Sequence, residues 1–228
     1  MRVKSERAIG SRLAEPSPST RHGRRRQRTK LRLVDAARRV IGRKGVEATS
    51  IIDITEEADL GFGTFYNYFD SKDAILAAAT AEATEELGHA LDRLNERLSD
   101  PAEILSVAVR HCARMVERDP IWAWFVVRTT LYREQMAAAH GQRLAHDLRR
   151  GVEAGRFTQT DVRLLNHVIG GAVWAVMRAK LVAALGPDAD AELAATVLRM
   201  VGLPSGEARE IARRPLPDID LPARDQRV

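Results

Sequence analysis

The strongest constraint on the fold is the spacing of apolar residues between positions 31 and 76, where helical segments are joined by very short links. Val34, Ala37 and Ile41 recur every three or four residues, which is the period of one face of an α-helix. The period-two alternation of a half-buried strand is not sustained beyond a few residues in any part of the chain. The sequence therefore predicts an all-α protein.

Capping residues divide this region into helices joined by tight turns. Gly45 is placed to end the first helix, and Thr49 or Ser50 is placed to cap a second. Asp53, three residues beyond Ser50, has the spacing of a capping box. The link Asp59-Leu60-Gly61 leads to a third helix over about 62–68. Two helices separated by so short a turn indicate a helix-turn-helix, whose second helix enters the DNA major groove.

The rest of the chain carries similar helix boundaries. Ser71 is placed to cap a fourth helix, and both Asp100-Pro101 and Asp119-Pro120 set a capping Asp before a proline at the first helical position. Two apolar-rich helices follow over about 161–185 and 188–201. These patterns predict a larger helical domain after the helix-turn-helix.

Positive charge is concentrated at the N-terminal end of the chain. The first 30 residues hold ten basic and two acidic side chains, a net charge of +8 within a chain of net charge +5. Such a segment attracts polyanions, although a solubilising tail is the alternative. The predicted organisation is a disordered basic arm (1–26), a DNA-binding domain (27–76), an effector-binding and dimerisation domain (77–204) and a flexible tail (205–228).

Several classes of protein lack support in the sequence. No apolar run approaches the roughly 20 residues that span a bilayer. Cys112 is the only cysteine, which excludes an internal disulfide and fits a reducing cytoplasm. The chain has no phosphate-binding Gly-Lys-Ser/Thr loop or nucleophile elbow, and Glu86 with His89 is a single Glu-x-x-His where a di-iron bundle needs two. We therefore predict no membrane span, cofactor, metal site or enzymatic activity.

A set of short motifs over about forty residues occurs in a family-specific order. It comprises Ala36-Ala37, Gly45, Ala48-Thr49-Ser50, Asp53-Ile54, Ala58, Gly63-Thr64-Phe65-Tyr66, Phe69, and Ser71-Lys72-Asp73 with Leu76. With this set, the segment from Leu33 to Leu76 resembles the DNA-binding domain of the TetR family of bacterial regulators. The resemblance implies a homodimeric transcriptional regulator that binds double-stranded operator DNA.

The resemblance also implies a set of DNA contacts. Gly63 allows the backbone of the third helix to approach DNA closely, and Lys72 offers charge beside a helix N-terminus. The predicted DNA-binding residues are Thr49, Ser50, Gly63, Thr64, Tyr66, Asn67, Tyr68 and Lys72. Phe65 and Phe69 are expected in the core.

Phe62 departs from the common family pattern, in which a polar or basic residue is frequent at that position. Its ring is able to touch a thymine methyl group or to pack locally, and local packing is slightly favoured.

The C-terminal half is expected to bind a small effector and to form the dimer. The resemblance implies pairing through helices 161–185 and 188–201, with Leu193, Val197, Leu198 and Val201 completing the contact; an intrachain core is the alternative. The aromatic run from Ile121 to Arg128 suggests an apolar pocket for a small hydrophobic ligand. The candidate ligand-binding residues are His111, Trp122, Phe125, Arg128, Tyr132, Asn166 and Trp174.

Three functional hypotheses follow. The first is a repressor that an unknown effector releases from its operator, and the second is an architectural DNA binder without sequence preference. The third is a helical-bundle enzyme with an incidental DNA-binding domain.

Overall fold

The computed structural model describes residues 21–129, 134–158 and 161–221. Within these ranges the chain forms ten α-helices and no β-strand, which confirms the predicted all-α fold. In chain order they are α1 (Arg21–Lys44), α2 (Ile51–Glu57), α3 (Phe62–Phe65), α4 (Lys72–Asn95), α5 (Pro101–Arg118), α6 (Pro120–Thr129), α7 (Glu134–Glu153), α8 (Val162–Leu181), α9 (Ala189–Met200) and α10 (Ser205–Arg213).

The helices begin at the predicted capping residues. The Ser50 hydroxyl accepts a hydrogen bond from the Asp53 amide, and the Asp53 carboxylate accepts one from the Ser50 amide, so the capping box of α2 is confirmed. The Asp100 carboxylate likewise accepts a hydrogen bond from the Ala102 amide, and Pro101 is the first residue of α5.

The buried side chains form two apolar clusters that share helix α5. The first cluster joins the N-terminal helices to α6 and contains Phe65, whereas the second joins α5 to the C-terminal helices and contains Leu198. On α5, Val107 belongs to the first cluster and Val109 to the second. Helix α5 therefore connects the DNA-binding half to the rest of the protein.

The N-terminal boundary differs from the prediction. Helix α1 begins at Arg21, so residues 21–26 are helical and do not belong to a disordered arm. The Arg26 guanidinium lies 5.3 Å from the centroid of the Tyr68 ring and donates a hydrogen bond to the Asn67 carbonyl at 3.4 Å. These tertiary contacts stabilise the first turns of α1, which the spacing of apolar residues does not predict. The rest of the predicted arm, residues 1–20, lies outside the described residues.

The prediction of a flexible tail is wrong for residues 205–221. Helix α10 buries Ala208, Ile211 and Ala212 in the second cluster. The chain then runs without helix through residues 214–221, here called the C-terminal strap, and buries Ile219 in the first cluster. Burial of these apolar side chains holds the segment in place. Residues 222–228 lie outside the described residues.

Two helices end earlier than predicted. Helix α3 has only four residues and continues as a turn through Tyr68. Helix α8 ends at Leu181, because Ala183 adopts a positive φ of 55° that is incompatible with a right-handed helix.

Candidate nucleic-acid interface

The turn between α2 and α3 is held from α1. The Arg32 guanidinium donates hydrogen bonds to the carbonyl oxygens of Ala58, at 2.6 Å, and Asp59, at 3.3 Å. Asp59 adopts a positive φ of 50°, which turns the chain sharply before α3. The three helices therefore form one helix-turn-helix unit with a fixed turn.

Aromatic side chains anchor α3 to this unit. Phe65 is fully buried and Phe69 is nearly so, which confirms their predicted place in the core. Their ring centroids lie 5.8 Å apart. Because one side of α3 is buried by these rings, its opposite side faces solvent.

The solvent side of α3 carries most of the predicted DNA-binding residues. Gly63, Tyr66 and Asn67 are exposed, while Thr64 and Tyr68 are half-buried. A β-carbon added at Gly63 would have no neighbour within 4 Å, so the fold itself does not require glycine there. The open space agrees with the predicted close approach of DNA to the α3 backbone, which stays a prediction.

Thr49 differs from the prediction of a hydroxyl offered to phosphate. Its side chain is buried, and the hydroxyl donates a hydrogen bond to the Gly45 carbonyl at 2.7 Å. The neighbouring Ser50 is exposed, but its hydroxyl donates to the Asp53 carboxylate at 2.8 Å within the capping box. Hydrogen bonds from Lys44 and Ser50 hold the pKa of the Asp53 carboxyl well below its usual value, so a negative charge already occupies the N-terminus of α2.

Lys72 closes the unit from the start of α4. Its ammonium group donates hydrogen bonds to the carbonyl oxygens of Val46, at 3.1 Å, and Thr49, at 3.0 Å. An ammonium group has three N–H donors, so one is left over from these two bonds. Lys72 therefore has a structural role in joining α4 to the loop before α2, in addition to the predicted contact with DNA phosphate.

The first turns of α1 form a basic surface, part of which falls in the predicted disordered arm. Its exposed members are Arg21, Arg24, Arg25, Arg26, Arg28 and Lys30. This surface adjoins the turn after α3, since Arg26 contacts Tyr68 and the Lys30 ammonium lies 5.8 Å from the Phe69 ring centroid. The run of straight-chain residues from Arg24 to Arg28, which favour helix, was the sequence signal for a longer α1. Positive charge here suits the phosphate backbone of DNA.

Two family models match the chain. Residues 33–79 match the family described as bacterial regulatory proteins of the tetR family, and residues 100–214 match the tetracyclin repressor-like C-terminal domain. The chain belongs to the TetR family. Its members are helix-turn-helix regulators of transcription and not enzymes, and the predicted family and function class are confirmed.

Individual relatives agree with this membership. The chain is 37% identical to RolR, solved in complex with the ligand resorcinol, over 86% of this chain and 99% of RolR, with a TM-score of 0.68. It is 27% identical to the transcriptional repressor KstR of Rhodococcus jostii over 60% of this chain and 63% of KstR. FadR of Bacillus subtilis, solved with stearoyl-CoA, shares the fold at 22% identity, 75% coverage of this chain, 96% of its own and a TM-score of 0.61. The chain spans less than two thirds of the length of the curated KstR repressors.

The aromatic candidates for effector binding in this TetR-family chain pack within α6 or join it to other helices. Phe125 is fully buried, and the Trp122 indole N–H donates to the Ala83 carbonyl of α4 at 3.2 Å. The Trp174 indole N–H donates to the Val127 carbonyl at 3.1 Å, which joins α8 to α6. Trp122 and Trp174 therefore join α6 to α4 and α8, and Phe125 lies on the buried side of α6.

The polar candidates are less closely grouped. Arg128 donates a hydrogen bond to the Gly42 carbonyl of α1 at 2.6 Å. His111 Nε2 lies 2.9 Å from the Pro217 carbonyl oxygen, beneath the C-terminal strap. Asn166 has a buried side-chain oxygen without a hydrogen-bond partner in the described structure. Tyr132 lies outside the described residues. Arg128 and His111 are thus occupied by the fold, and Asn166 retains an acceptor.

A reactive cysteine, a metal site and a membrane-spanning helix have little support in the described residues. Burial raises the pKa of the Cys112 thiol to about 11, which keeps it protonated and weakly nucleophilic. His89 pairs with Glu85 at 3.2 Å rather than with Glu86. In the described ranges no three His, Cys, Asp or Glu side chains are grouped as metal ligands. Among the described helices, none has the length and apolar character needed to cross a bilayer.

Proposed function

We propose that this protein is a dimeric repressor that binds a palindromic operator and is released from it by a small hydrophobic effector. The observation that carries the proposal is the helix-turn-helix whose third helix and following turn expose Gly63, Tyr66 and Asn67 beside the basic surface of α1. The basic surface supplies attraction to phosphate, and the exposed face of α3 supplies contact with base edges. As a DNA-binding regulator, the protein would act in the bacterial cytoplasm.

An unpartnered stripe on α8 supports the dimer. Leu164, Val168, Gly171, Ala175 and Val182 are exposed and recur at spacings of four, three, four and seven residues, so they share one helix face. A β-carbon at Gly171 would meet nothing within 4 Å, which leaves room for a second helix to approach closely. A two-fold dimer through this face would place two copies of α3 in successive major grooves, and its operator would be a palindrome.

The predicted contribution of α9 to the dimer needs correction. Leu193, Val197, Leu198 and Val201 are buried in the second cluster of their own chain, where α9 lies against α5 and α10. Only the opposite face of α9, which includes Thr196 and Met200, remains exposed for a partner. Helix α8 is therefore the main element of the proposed dimer, and α9 contributes at its exposed face.

The effector proposed for the first test is a hydroxylated aromatic compound. RolR, which shares 37% identity over 86% of this chain, was solved with resorcinol. The interior around α6 is aromatic, with Trp122, Phe125 and Trp174, and suits a flat apolar ring. An effector that binds better to the non-operator conformation would shift the protein towards it and release DNA.

A titration with DNA tests the function. Purified protein is added to fluorescent duplexes from its own upstream region, with random DNA as competitor and with salt varied. Saturable binding of two chains per site, weakened by resorcinol, supports the repressor. Equal affinity for random DNA would favour the architectural DNA binder.

A substitution on α8 tests the dimer. Val168→Asp places charge on the exposed stripe and is expected to yield a monomer with weakened operator binding. Gln142→Asp, at an exposed position of α7, is the matched control and should remain dimeric. Light scattering coupled to gel filtration distinguishes the two states. A dimeric Val168→Asp variant would argue for another interface.

A further inference from the structure

Phe62 is a large apolar side chain on the DNA-facing side of the helix-turn-helix. It is the first residue of α3, and half of its surface is exposed. Its ring meets the Tyr66 ring edge-on, with centroids 5.5 Å apart. Packing against Tyr66 therefore covers only part of Phe62, although the sequence slightly favours local packing over contact with DNA.

The Phe62 ring packs against a series of aromatic rings that is anchored in the core. Tyr66 also meets Phe65 edge-on, with centroids 5.4 Å apart, and Phe65 is fully buried. Each ring in this series limits the movement of the next. Phe62 is thus presented to the outside in a defined position, which a specific contact requires and which a mobile surface side chain does not offer.

The chemistry of the recognition segment restricts which bases it is able to read. The segment Gly61–Tyr68 contains no Arg, Lys, Asp or Glu, the side chains that pair most often with guanine or cytosine edges. Its outward residues are Phe62, Tyr66 and Asn67. An apolar ring matches the thymine C5-methyl group, and an Asn side chain matches the adenine N6 and N7 atoms.

We propose that Phe62 is a specificity-determining residue that contacts the C5-methyl group of a thymine in each operator half-site. The base pair under Phe62 is then an A·T pair, and α3 supplies none of the Arg or Lys side chains that bind guanine in a bidentate manner. This inference rests on the operator binding proposed above. The positive charge that α3 lacks comes from the first turns of α1, which attract phosphates regardless of sequence.

Replacement of thymine by uracil tests the contact, because uracil lacks only the C5-methyl group. The operator is first selected from random duplexes with the full chain. Each thymine of a half-site is then changed to uracil, and affinity is measured by fluorescence anisotropy. We expect one position per half-site at which wild-type affinity falls about fourfold, the value for losing burial of one methyl-sized group.

Variants of Phe62 complete a double-mutant cycle. Phe62→Ala should bind the thymine and uracil duplexes equally, whereas Phe62→Leu, which keeps an apolar side chain, should retain part of the discrimination. Ile52→Ala is the matched control, because Ile52 is an equally exposed apolar residue on α2 and its loss should leave the fourfold effect unchanged. Circular dichroism checks that each variant is folded.

Two results would overturn the inference while leaving operator binding intact. One is the absence of any uracil-sensitive thymine in the wild-type operator. The other is a Phe62→Ala variant with undiminished uracil sensitivity, which would make Phe62 a support for Tyr66 only. Failure to select any preferred sequence would overturn the operator proposal, and this inference with it.

Discussion

The Asp119 carboxylate accepts a hydrogen bond from the Arg38 guanidinium at 2.8 Å and thereby ties helix α1 of the DNA-binding unit to the start of α6. Both side chains are largely buried. The other Asp119 oxygen accepts a hydrogen bond from the Trp122 amide at 2.8 Å, so the same group caps α6. The Trp122 side chain in turn bonds to α4. The Asp119 carboxylate therefore links α1 to α6 directly and to α4 through Trp122.

Loss of Asp119 should destabilise the protein strongly. Asp119→Ala leaves the Arg38 charge buried beside an uncapped helix, and we expect the free energy of unfolding to fall by about 3 kcal/mol. Asp35→Ala is the matched control, because Asp35 bonds to the same Arg38 at 2.9 Å but is far more exposed. The control should cost about 1 kcal/mol or less. Urea unfolding measures both, and equal losses would contradict a special role for Asp119.

Gly63→Ala should separate stability from DNA binding. The added β-carbon meets no protein atom within 4 Å, so stability should be unchanged or rise by up to about 1 kcal/mol. Operator affinity should fall by about tenfold or more, because the α3 backbone is held away from DNA. Gly206→Ala on α10 also meets nothing within 4 Å and serves as the control with normal affinity. A Gly63→Ala variant with wild-type affinity would contradict the predicted close approach.

The C-terminal strap should contribute to stability through Ile219. Four side chains of α4 and α5 donate hydrogen bonds to strap carbonyls; they are Arg93, Arg110, His111 and Arg118. Ile219→Ala removes the buried anchor, and we expect a loss of about 2–3 kcal/mol in thermal or urea unfolding. Asp218→Ala alters an exposed neighbour and should change stability by less than about 0.5 kcal/mol. A loss below about 0.5 kcal/mol for Ile219→Ala as well would show that the strap acts through its backbone alone.

His111 should make stability depend on pH in mildly acidic solution. Burial lowers the pKa of the His111 imidazole from 6.5 to about 4, and the charges of Arg110 and Arg114 act in the same direction. Between these two values the unfolded chain binds a proton that the folded protein does not, so stability falls as pH is lowered from about 6.5 to 4. His111→Gln keeps a donor for Pro217 and should remove about 1–2 kcal/mol of that pH-dependent loss.

Unfolding curves at pH 7 and pH 5 make the comparison. The difference between the two pH values should be smaller for His111→Gln than for the wild type. An identical difference would indicate that other groups carry the pH dependence.

Local elements were predictable because their causes lie within a turn or two of chain. The capping box of Ser50 and Asp53, the start of α5 at Pro101 and the burial of Phe65 each follow from neighbouring residues. Predictions from the sequence are wrong where long-range burial competes with local composition. The prolines and charges after residue 204 suggested a flexible tail, yet Ile211 and Ile219 are buried by helices distant in sequence.

In the candidate interface, too, some predictions agree with the structure and others do not, because some polar groups bond within the fold. Exposure of Gly63 and Tyr66 agrees with their predicted place on the face of α3. The hydroxyl of Thr49 and the ammonium of Lys72 were also expected to face DNA, but both bond to backbone carbonyls of the α1–α2 loop. Residue type alone does not distinguish a polar group offered to a ligand from one used by the fold.

By itself, the sequence determined the all-helical fold, the helix-turn-helix and the polarity of its exposed face, because helix period, capping and turn residues act over a few positions. Only the tertiary structure decided which polar groups are already satisfied and which apolar faces remain open. The Arg38–Asp119 pair joins residues 81 positions apart, and the α8 stripe is exposed because none of the described helices covers it. Such outcomes depend on how all the helices assemble, since each buried group is fixed by partners from distant segments.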